Sequence, residues 1–362
     1  MTGHTGFKGA WLTEWLLMLG AEVWGLSLPP PTQPALSEQL GLAKRMRHQI
    51  GDLRDPATVQ AAVAKCQPDY VFHLAALAVV RASYEQPLAA LEINVMGTAN
   101  LLAALGGLRT PCAVVIVTSD KCYLNNEEGR DYRETDALGG LDPYSASKAA
   151  AEIVTIAWRH SYFAPGKILQ GLVPPVAVAS ARAGNAIGGG DWAPDRIVPD
   201  TVRALERGEP ILVRNPASVR PWEHVLEPLG GYLALAAQLH ESLVQRSPRL
   251  PELCGAFNFG PSMKDHRTVR ELVEEILKHW PGRWGDGSDP GAVHEARLLR
   301  LATEKSASLL GWRPRWSFAE AVARTTEWYR AVGDNSAIAS ELTRRQISEY
   351  SATTTNEPRK PS

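Results

Sequence analysis

The stretch Met1-Thr2-Gly3-His4-Thr5-Gly6-Phe7-Lys8-Gly9 precedes a largely apolar segment that runs to Gly20. Its glycines recur every third residue, a spacing typical of a sharp turn from strand to helix at which the backbone approaches a pyrophosphate. Apolar residues at Trp11, Trp15 and Met18 predict a buried helix that ends at Gly20. The stretch therefore favours a phosphate-binding turn over the alternative, a glycine-rich N-terminal tail.

The start of the chain leaves no room for the strand that such a turn follows. Only Met1 and Thr2 precede Gly3, whereas a strand takes about five or six residues. We therefore expect the first strand to be missing from the sequence as given, with Met1 at its last position. A valine codon read as an alternative start would produce this methionine.

The pattern along the chain indicates an α/β protein. Up to about residue 180, short apolar runs alternate with helical patterns, as in a parallel sheet with crossover helices. Strands are predicted at 22–26, near Gln49, and at 70–74, 113–117 and 176–181; helices are predicted at 56–65, 89–105, 144–161, 197–207, 225–243, 268–279 and 318–331. We predict a Rossmann-like, doubly wound parallel sheet over residues 1–183, a smaller C-terminal substrate lobe over 184–330, and a helix remnant with a disordered tail over 331–362, the tail starting at Ser351.

Composition narrows the class of protein. The 362 residues carry 38 Lys and Arg against 39 Asp and Glu, a net charge of −1, without the basic excess that nucleic-acid binding requires. The four cysteines, Cys66, Cys112, Cys122 and Cys254, are widely spaced and argue against a disulfide framework or a zinc site. We recognise no apolar run of about 20 residues and no signal peptide. We therefore expect a cytoplasmic protein without a metal site and without nucleic-acid or membrane partners.

Tyr144-Ser145-Ala146-Ser147-Lys148 places a phenol and an ammonium group four residues apart on one helical face. A nearby positive charge favours the phenolate, so Tyr144 becomes a usable base toward an alcohol, while Lys148 can also hold a ribose hydroxyl. The bare Tyr-x-x-x-Lys pattern is weak, because exposed helices often contain it. Its position is more informative, since it follows the strand at 113–117 by about one element.

That strand ends in Thr118-Ser119-Asp120-Lys121. Ligands of α/β sheets bind at the carboxyl ends of the strands. Ser119 is thus placed to hydrogen-bond the substrate oxygen that Tyr144 deprotonates. Taken alone, Asp120 and Lys121 are more often a solvated ion pair.

These features resemble the extended short-chain dehydrogenase/reductase superfamily. A narrower resemblance, to the CDP-glucose 4,6-dehydratases, is carried by residues 118–123, 181–192, 214–216 and 219–228. It extends from Thr2 to about Trp328 and includes 294–296 and 310–314.

The resemblance implies an NAD-dependent lyase, a hydro-lyase that converts CDP-D-glucose to CDP-4-dehydro-6-deoxy-D-glucose in deoxysugar and surface polysaccharide biosynthesis. Tyr144, supported by Lys148 and Ser119, would remove the proton of the C4 hydroxyl. Lys121 would remove the C5 proton, and Asp120 would protonate the departing C6 hydroxyl. The resemblance also implies a homodimer paired through the helices at 89–105 and 144–161.

Two further sets of residues are expected to bind ligands. The cofactor set is Gly3, Thr5, Gly6, Phe7, Gly9, Asp52, Leu53, Leu74, Ala75, Ala76 and Asn94, with Tyr144 and Lys148. The nucleotide-sugar set is Asn185, Arg196, Arg214 and Arg220, because guanidinium groups suit phosphate oxygens. His73 lies beside the cofactor in this superfamily, but a packed core histidine is equally consistent with the sequence.

The chain departs from the family pattern at a few positions. Pro29 stands where an acidic residue would bind the adenosine ribose, so NAD over NADP selection rests on the resemblance alone. Leu77 and Leu124 replace polar or acidic residues at the substrate rim. Two alternatives remain: a nucleotide-sugar 4-epimerase or another dehydratase, and a non-catalytic nucleotide-sugar-binding relative that lacks the first strand.

Overall fold

The computed structural model describes residues 1–127, 129–288, 298–333 and 335–353. The helices are α1 Phe7–Met18, α2 Leu36–Gln39, α3 Pro56–Cys66, α4 Val80–Glu85, α5 Pro87–Leu91, α6 Gly97–Leu105, α7 Pro143–Ser161, α8 Pro165–Leu169, α9 Ile197–Glu206, α10 Leu226–Val244, α11 Leu250–Leu253, α12 Val269–His279, α13 Glu304–Leu310, α14 Phe318–Val332 and α15 Ser336–Ala352. The strands are β1 Trp24–Ser27, β2 Arg47–Ile50, β3 Tyr70–His73, β4 Cys112–Val117, β5 Val176–Ala183, β6 Ala186–Ile187, β7 Ile211–Val213, β8 Val219–Arg220, β9 Glu223–His224, β10 Ala256–Phe259, β11 Arg267–Thr268 and β12 Trp284–Asp286.

Short 3-10 turns lie at Leu42–Lys44, Asp120–Cys122 and Met263–Asp265, and a π-helical turn at Glu92–Met96 joins α5 to α6. The family motif at 294–296 and residues 354–362 of the expected tail lie outside the described residues.

The main sheet is parallel, and the N-terminus occupies its centre. Strands β3, β4, β5 and β10 are neighbours in that order, and β1 pairs with β2. Thr2 forms parallel bridges to Leu26 on one side and His73 on the other. The Leu26 amide donates to the Met1 carbonyl at 3.0 Å, and the Thr2 amide donates to the Phe72 carbonyl at 3.0 Å. The first residues thus fill the expected position between β1 and β3; the idea that strand residues precede Met1 stays a prediction.

Each of the five strands predicted from apolar runs is present in the structure, with ends shifted by no more than a few residues. Every residue of β4 and β5 is buried, as expected for strands covered on both faces. Local capping explains where the crossover helices begin: Asp55 accepts from the Ala57 amide at α3, and Asp142 accepts from the Ser145 amide at α7. The second cap fixes the start of the helix that carries Tyr144.

The part of the chain after β5 builds a second layer above the sheet and then returns to it. Three small two-stranded sheets pair β6 with β9, β7 with β12 and β8 with β11. However, α10 packs against β4 and β5, and β10 extends the main sheet beside β5. The domain boundary at residue 183 stays a prediction. A separate lobe over residues 184–330 does not account for α10 and β10, which contact the main sheet.

The last described helix extends further than the sequence suggested. Helix α15 runs to Ala352 and packs against α1 and α14, so Ser351 belongs to a helix and the predicted start of a disordered tail there is wrong. Glu14 of α1 is fully buried and accepts hydrogen bonds from Arg45 at 2.5 Å and from Arg344 of α15 at 2.6 Å. This buried carboxylate fastens the last helix to the first.

Among the described residues, one helical stretch, Pro87–Leu105, is long and apolar enough to cross a membrane, with a mean hydropathy of 1.5. This apolar stretch is longer than the sequence pattern indicated. It contains Glu92 and Asn94, and its α6 part packs against α3 and α7. These contacts pack the stretch against other helices of the fold.

Candidate active site

The carboxyl ends of β1, β3, β4 and β5 open into a cleft of about 710 Å³. With one exception, every site residue expected from the sequence lines this cleft, although those residues are spread from Gly3 to Arg220. The exception is Asn94. Its side chain accepts from the Leu77 amide at 2.9 Å and donates to the Leu77 carbonyl at 3.1 Å and to Ser147 Oγ at 2.8 Å. Asn94 therefore ties the loop after Ala76 to the helix of Tyr144.

The glycine loop is a cradle that larger residues would fill. Gly3 has a φ of +75°, and a Cβ on it would lie 2.6 Å from the Ala75 amide nitrogen. A Cβ on Gly9 would lie 2.0 Å from the Gly3 carbonyl oxygen. Thr5 Oγ1 lies 2.6 Å from the Ser27 hydroxyl and fixes the loop to the end of β1. Gly3 and Gly9 thus allow the loop to pack closely on β3 and α1 to pack closely on the loop. Gly6, the N-cap of α1, lines the cleft, where the helix N-terminus suits the pyrophosphate of a dinucleotide.

Asp52 after β2 and Pro29 after β1 line the same cleft as this loop. Asp52 accepts from Arg54 Nη2 at 2.6 Å, and this hydrogen bond lowers the pKa of the Asp52 carboxyl. Pro29 lines the cleft just after β1.

Tyr144 and Lys148 lie on the buried face of α7 at the end of β4. Burial raises the pKa of Tyr144 to about 12, and a hydrogen bond with Ser119 and the charge of Arg196 oppose that rise. The sequence-based expectation that a nearby charge makes Tyr144 a ready base therefore omits the larger effect, which is burial. Burial also lowers the pKa of Lys148 to about 8, with a further contribution from the charge of Lys8. Lys148 Nζ donates to the Val117 carbonyl at 3.4 Å.

Asp120 and Lys121 stand beside this pair in a 3-10 turn. Asp120 is only 1% exposed, so the interpretation as a solvated ion pair is wrong for its carboxyl group. Ser119 Oγ donates to Asp120 Oδ1 at 2.9 Å, and Lys121 Nζ lies 3.6 Å from the same oxygen. Ser119 thus contacts both Tyr144 and Asp120, and a carboxyl, an amine, a hydroxyl and a phenol meet at one strand end.

The expected phosphate ligands line the cleft from the part of the chain that follows β5, and the charge of Arg196 reaches Tyr144. Arg220 is 4% exposed. Arg196 Nη1 pairs with Asp191 at 3.1 Å, and Arg214 Nη1 pairs with Asp195 at 2.5 Å. Asn185 Oδ1 is buried without a hydrogen-bond partner among the described residues, although it lines the cleft. These groups supply positive charge and an open acceptor.

Sequence reasoning missed a buried ion pair below the reacting groups. Glu152 accepts from Thr118 Oγ1 at 2.5 Å, from Ser180 Oγ at 2.7 Å and from Arg182 Nη2 at 2.9 Å. Burial alone would raise the pKa of Glu152, but the Arg182 guanidinium holds it below its ordinary value. The signal was present: Glu152 continues the four-residue spacing of Tyr144 and Lys148, and Arg182 is a charge inside an apolar strand.

His73, for which the sequence left two interpretations, is a packed histidine. Its ring nitrogens lie 2.8 Å from Thr2 Oγ1 and 3.0 Å from Thr98 Oγ1, and burial lowers its pKa to about 3. Among the described residues, no group of three or more His, Cys, Asp and Glu side chains could hold a metal ion.

A parallel sheet with a glycine cradle, and a phenol beside an amine at its carboxyl edge, define a dinucleotide-dependent enzyme that acts on an alcohol. Residues 1–240 match the family model described as GDP-mannose 4,6 dehydratase. The chain belongs to this family of nucleotide-sugar 4,6-dehydratases and is a hydro-lyase.

Known proteins agree with this assignment. A CDP-glucose 4,6-dehydratase of Salmonella typhimurium is 43% identical over 98% of this chain and 96% of its own length. The crystal structure of the dTDP-glucose 4,6-dehydratase DesIV from Streptomyces venezuelae, a double mutant with NAD and DAU bound, has a TM-score of 0.72 at 24% identity, covering 94% of this chain and 98% of that one. MoeE5 in complex with UDP-glucuronic acid and NAD has a TM-score of 0.72 at 25% identity and covers 91% and 97%. The expectation of a nucleotide-sugar enzyme with NAD is confirmed.

Proposed function

We propose that this chain dehydrates CDP-D-glucose to CDP-4-dehydro-6-deoxy-D-glucose with NAD as its cofactor. One observation carries the reaction: Asp120 and Lys121 lie 3.6 Å apart beside Ser119, Tyr144 and Lys148 at the end of β4. When NAD oxidises an alcohol, the protein needs to supply only the phenol and its supporting groups for the proton of the hydroxyl. A second acid and a second base are what the loss of water requires. The 43% identical relative supports the choice of CDP-glucose.

The residues of the cleft divide the proton transfers among them. Gly3, Gly6 and Gly9 of the glycine loop would hold NAD, which would supply a hydride acceptor for C4 of the sugar and a hydride donor for C6. Tyr144 must be a phenolate to take the proton of the C4 hydroxyl, and the Ser119 hydrogen bond and the Arg196 charge favour that form against burial. Ser119 orients the C4 oxygen, and Lys148 supports the phenolate.

The C4 ketone makes the C5 proton acidic, and the acid and base pair then expels water. Lys121 takes the C5 proton, and Asp120 gives a proton to the departing C6 hydroxyl. The Lys121 proton returns to C5 at the end of the cycle. Tyr144 has then gained one proton and Asp120 has lost one, while the sugar has lost one water molecule.

We assign nucleotide binding to cleft residues that follow β5. Arg220, with Arg196 and Arg214, offers guanidinium groups to the two phosphates. Asn185 Oδ1, which has no protein partner within the described residues, is free to accept from the sugar or the nucleotide. These roles rest on the position of the residues and on their chemistry.

To test the proposal, the protein is incubated with NAD and, in parallel, with CDP-glucose, UDP-glucose or dTDP-glucose, and the mass of each product is measured. We expect loss of one water from CDP-glucose. Asp120→Asn should slow that loss by at least about 100-fold, whereas the control Asp55→Asn, which keeps an exposed helix cap, should not. A product of unchanged mass would instead support the 4-epimerase, and water loss at the parental rate in Asp120→Asn would remove Asp120 from the mechanism.

We also propose that the chain forms a homodimer. The neighbouring helices α5 to α7 expose large apolar side chains: Leu88 at 73%, Met96 at 54% and Ile153 at 56%. A second copy of the same surface would cover them. Ultracentrifugation should show a dimer that Ile153→Lys dissociates, while a monomeric parent would contradict this.

The four cysteines are free thiols, which suits the reducing cytoplasm that we propose as its location. We propose no membrane or nucleic-acid partner.

A further inference from the structure

One carboxylate oxygen joins two arginines in the cleft. Asp195 Oδ1 lies 2.5 Å from Arg214 Nη1 and 3.3 Å from Arg81 Nη1, and all three residues line the cleft. Arg81 belongs to α4 and Arg214 follows β7, so the two guanidinium groups come from distant parts of the chain. Arg214 Nη2 is 3.8 Å from Asp200, which itself pairs with Arg203 at 2.5 Å. Asp195 is therefore the nearer partner of Arg214, and the sequence gave no reason to expect Arg81 beside it.

This cluster lies in the same cleft as the reacting groups. Arg196, the residue after Asp195, has its Nη2 atom 3.5 Å from the Ala78 carbonyl oxygen, and its charge reaches Tyr144. Ala78 precedes α4, which carries Arg81, and lines the cleft as well. The segment before α9 and the segment before α4 therefore meet beside the place where the sugar is expected.

Two guanidinium groups that converge on one anionic oxygen form the kind of site that binds a phosphate group. Here the chain's own carboxylate supplies that oxygen. The hydrogen bond from Arg214, with the charges of Arg214 and Arg81, holds the pKa of Asp195 below its ordinary value against the effect of burial. Asp195 is therefore an anion at neutral pH and competes with any other anion for these two arginines.

We propose that Asp195 occupies, in the protein without substrate, the place of a phosphate oxygen of the nucleotide sugar, and that Arg81 is a further residue that binds the diphosphate. The diphosphate displaces the Asp195 carboxylate and accepts hydrogen bonds from Arg81 and Arg214. The inference rests on the proposed function in one respect, namely that the ligand of the cleft is a nucleotide sugar and so carries a diphosphate.

Exposure to water makes this exchange favourable. The side chains of Asp195, Arg81 and Arg214 are 37%, 42% and 36% exposed, and ion pairs at such exposure contribute little to stability. A diphosphate offers more negative charge and more acceptor oxygens to the same donors. The displaced carboxylate regains water, so its release costs little.

The test measures the binding of a nucleoside diphosphate by calorimetry in the presence of NAD. CDP, UDP and dTDP are titrated into the parent, and the one that binds most tightly is titrated into the variants. Asp195→Asn removes the competing charge, so the affinity should rise about two- to fivefold. Asparagine also tolerates the backbone φ of +61° at this position. Arg81→Gln removes a charged donor, so the affinity should fall about tenfold.

The exposed ion pair of Arg207 and Glu209 supplies matched controls. Arg207 Nε lies 2.8 Å from Glu209 Oε2, and neither residue is among the described residues that line the cleft. Arg207→Gln and Glu209→Gln change the net charge as the two test variants do, and each should alter the affinity less than about twofold, because water and salt screen distant exposed charges. The affinity for NAD should stay at the parental value in Arg81→Gln.

The opposite signs of the two effects separate competition for phosphate from a structural role. If Asp195 only held the arginines in place, Asp195→Asn would weaken binding as Arg81→Gln does. That result would overturn the inference, as would an unchanged affinity in either variant or an equal loss of NAD affinity in Arg81→Gln.

The parent protein distinguishes this inference from the proposed function. A parent that binds none of the three diphosphates would overturn the inference. A parent that shows the expected effects of the variants on binding, but releases no water from CDP-glucose, would overturn only the proposed dehydration.

Discussion

Replacing Glu152 by glutamine would remove the negative charge from the ion pair below the catalytic strand end. Arg182, 1% exposed, donates to Glu152 through Nε at 3.0 Å and Nη2 at 2.9 Å. Glutamine has nearly the same shape as glutamate, but its amide N–H₂ faces the Arg182 guanidinium. The positive charge of Arg182 then stays buried without a counter-charge. Breaking a buried pair in this way costs about 3–5 kcal/mol of unfolding free energy.

The structure favours the lower end of that range, about 3 kcal/mol. Arg182 keeps a hydrogen bond to Tyr123 Oη at 2.9 Å and lies over the Tyr123 ring at 4.9 Å, and a further N–H reaches the Glu134 carbonyl at 3.3 Å. The turnover of folded enzyme should change much less, because a glutamine Oε1 still accepts from Thr118 and leaves the strand end in place.

Denaturant unfolding of Glu152→Gln measures the cost, and Glu209→Gln is its control. Glu209 pairs with Arg207 at 2.8 Å, but its side chain is 55% exposed, so we expect a loss below about 1 kcal/mol. A Glu152→Gln loss as small as that of the control would refute the reasoning from burial. A large fall in turnover with unchanged stability would instead give Glu152 a direct part in the chemistry.

Three further changes have expected outcomes. Tyr144→Phe should lower product formation by at least about 100-fold at unchanged unfolding free energy, since it removes the first proton acceptor; parental rates would exclude that role. Gly9→Ala should weaken NAD binding, measured by calorimetry, at least about tenfold, because the new Cβ would lie 2.0 Å from the Gly3 carbonyl oxygen. The control Gly166→Ala places its Cβ where no atom lies within 4 Å and should leave NAD binding unchanged. Burial raises the pKa of Glu227 to about 7, above its ordinary 4.5, so the folded state binds this proton more tightly. The tighter proton binding by Glu227 therefore stabilises the folded state by up to about 3 kcal/mol, fully below pH 4.5, and this stabilisation is lost as the pH rises through about 7. In Glu227→Gln the free energy of unfolding should depend less on pH. An equal pH dependence in the parent and the variant would contradict the assignment.

Much of the fold follows from local signals that need no tertiary context. The glycine spacing before α1, the apolar runs of β4 and β5 and the proline after a capping aspartate at α7 each specify an element from a few adjacent residues. The last helix, α15, was predicted only as a helix remnant because its order comes from distant contacts. Arg344 of that helix donates a hydrogen bond to the buried Glu14, and the residues next to Arg344 in the sequence give no sign of this contact.

The candidate site shows the same division. Because parallel strands end at one edge, the polar residues after each strand could be assigned to one cleft from their positions in the sequence. Burial could not be assigned in that way. It reverses the expected effect on Tyr144 and shows that Asp120 is not a surface charge.

The sequence by itself determined which chemical groups the protein carries and the order in which a parallel sheet presents them, since both depend on residue type and short-range spacing. Only the tertiary structure decided which of these groups are withdrawn from water and which are paired there, as for Asp120 and the Glu152–Arg182 pair. The physical reason is that desolvation and pairing depend on side chains far apart in the chain, and they fix the charge that each group holds.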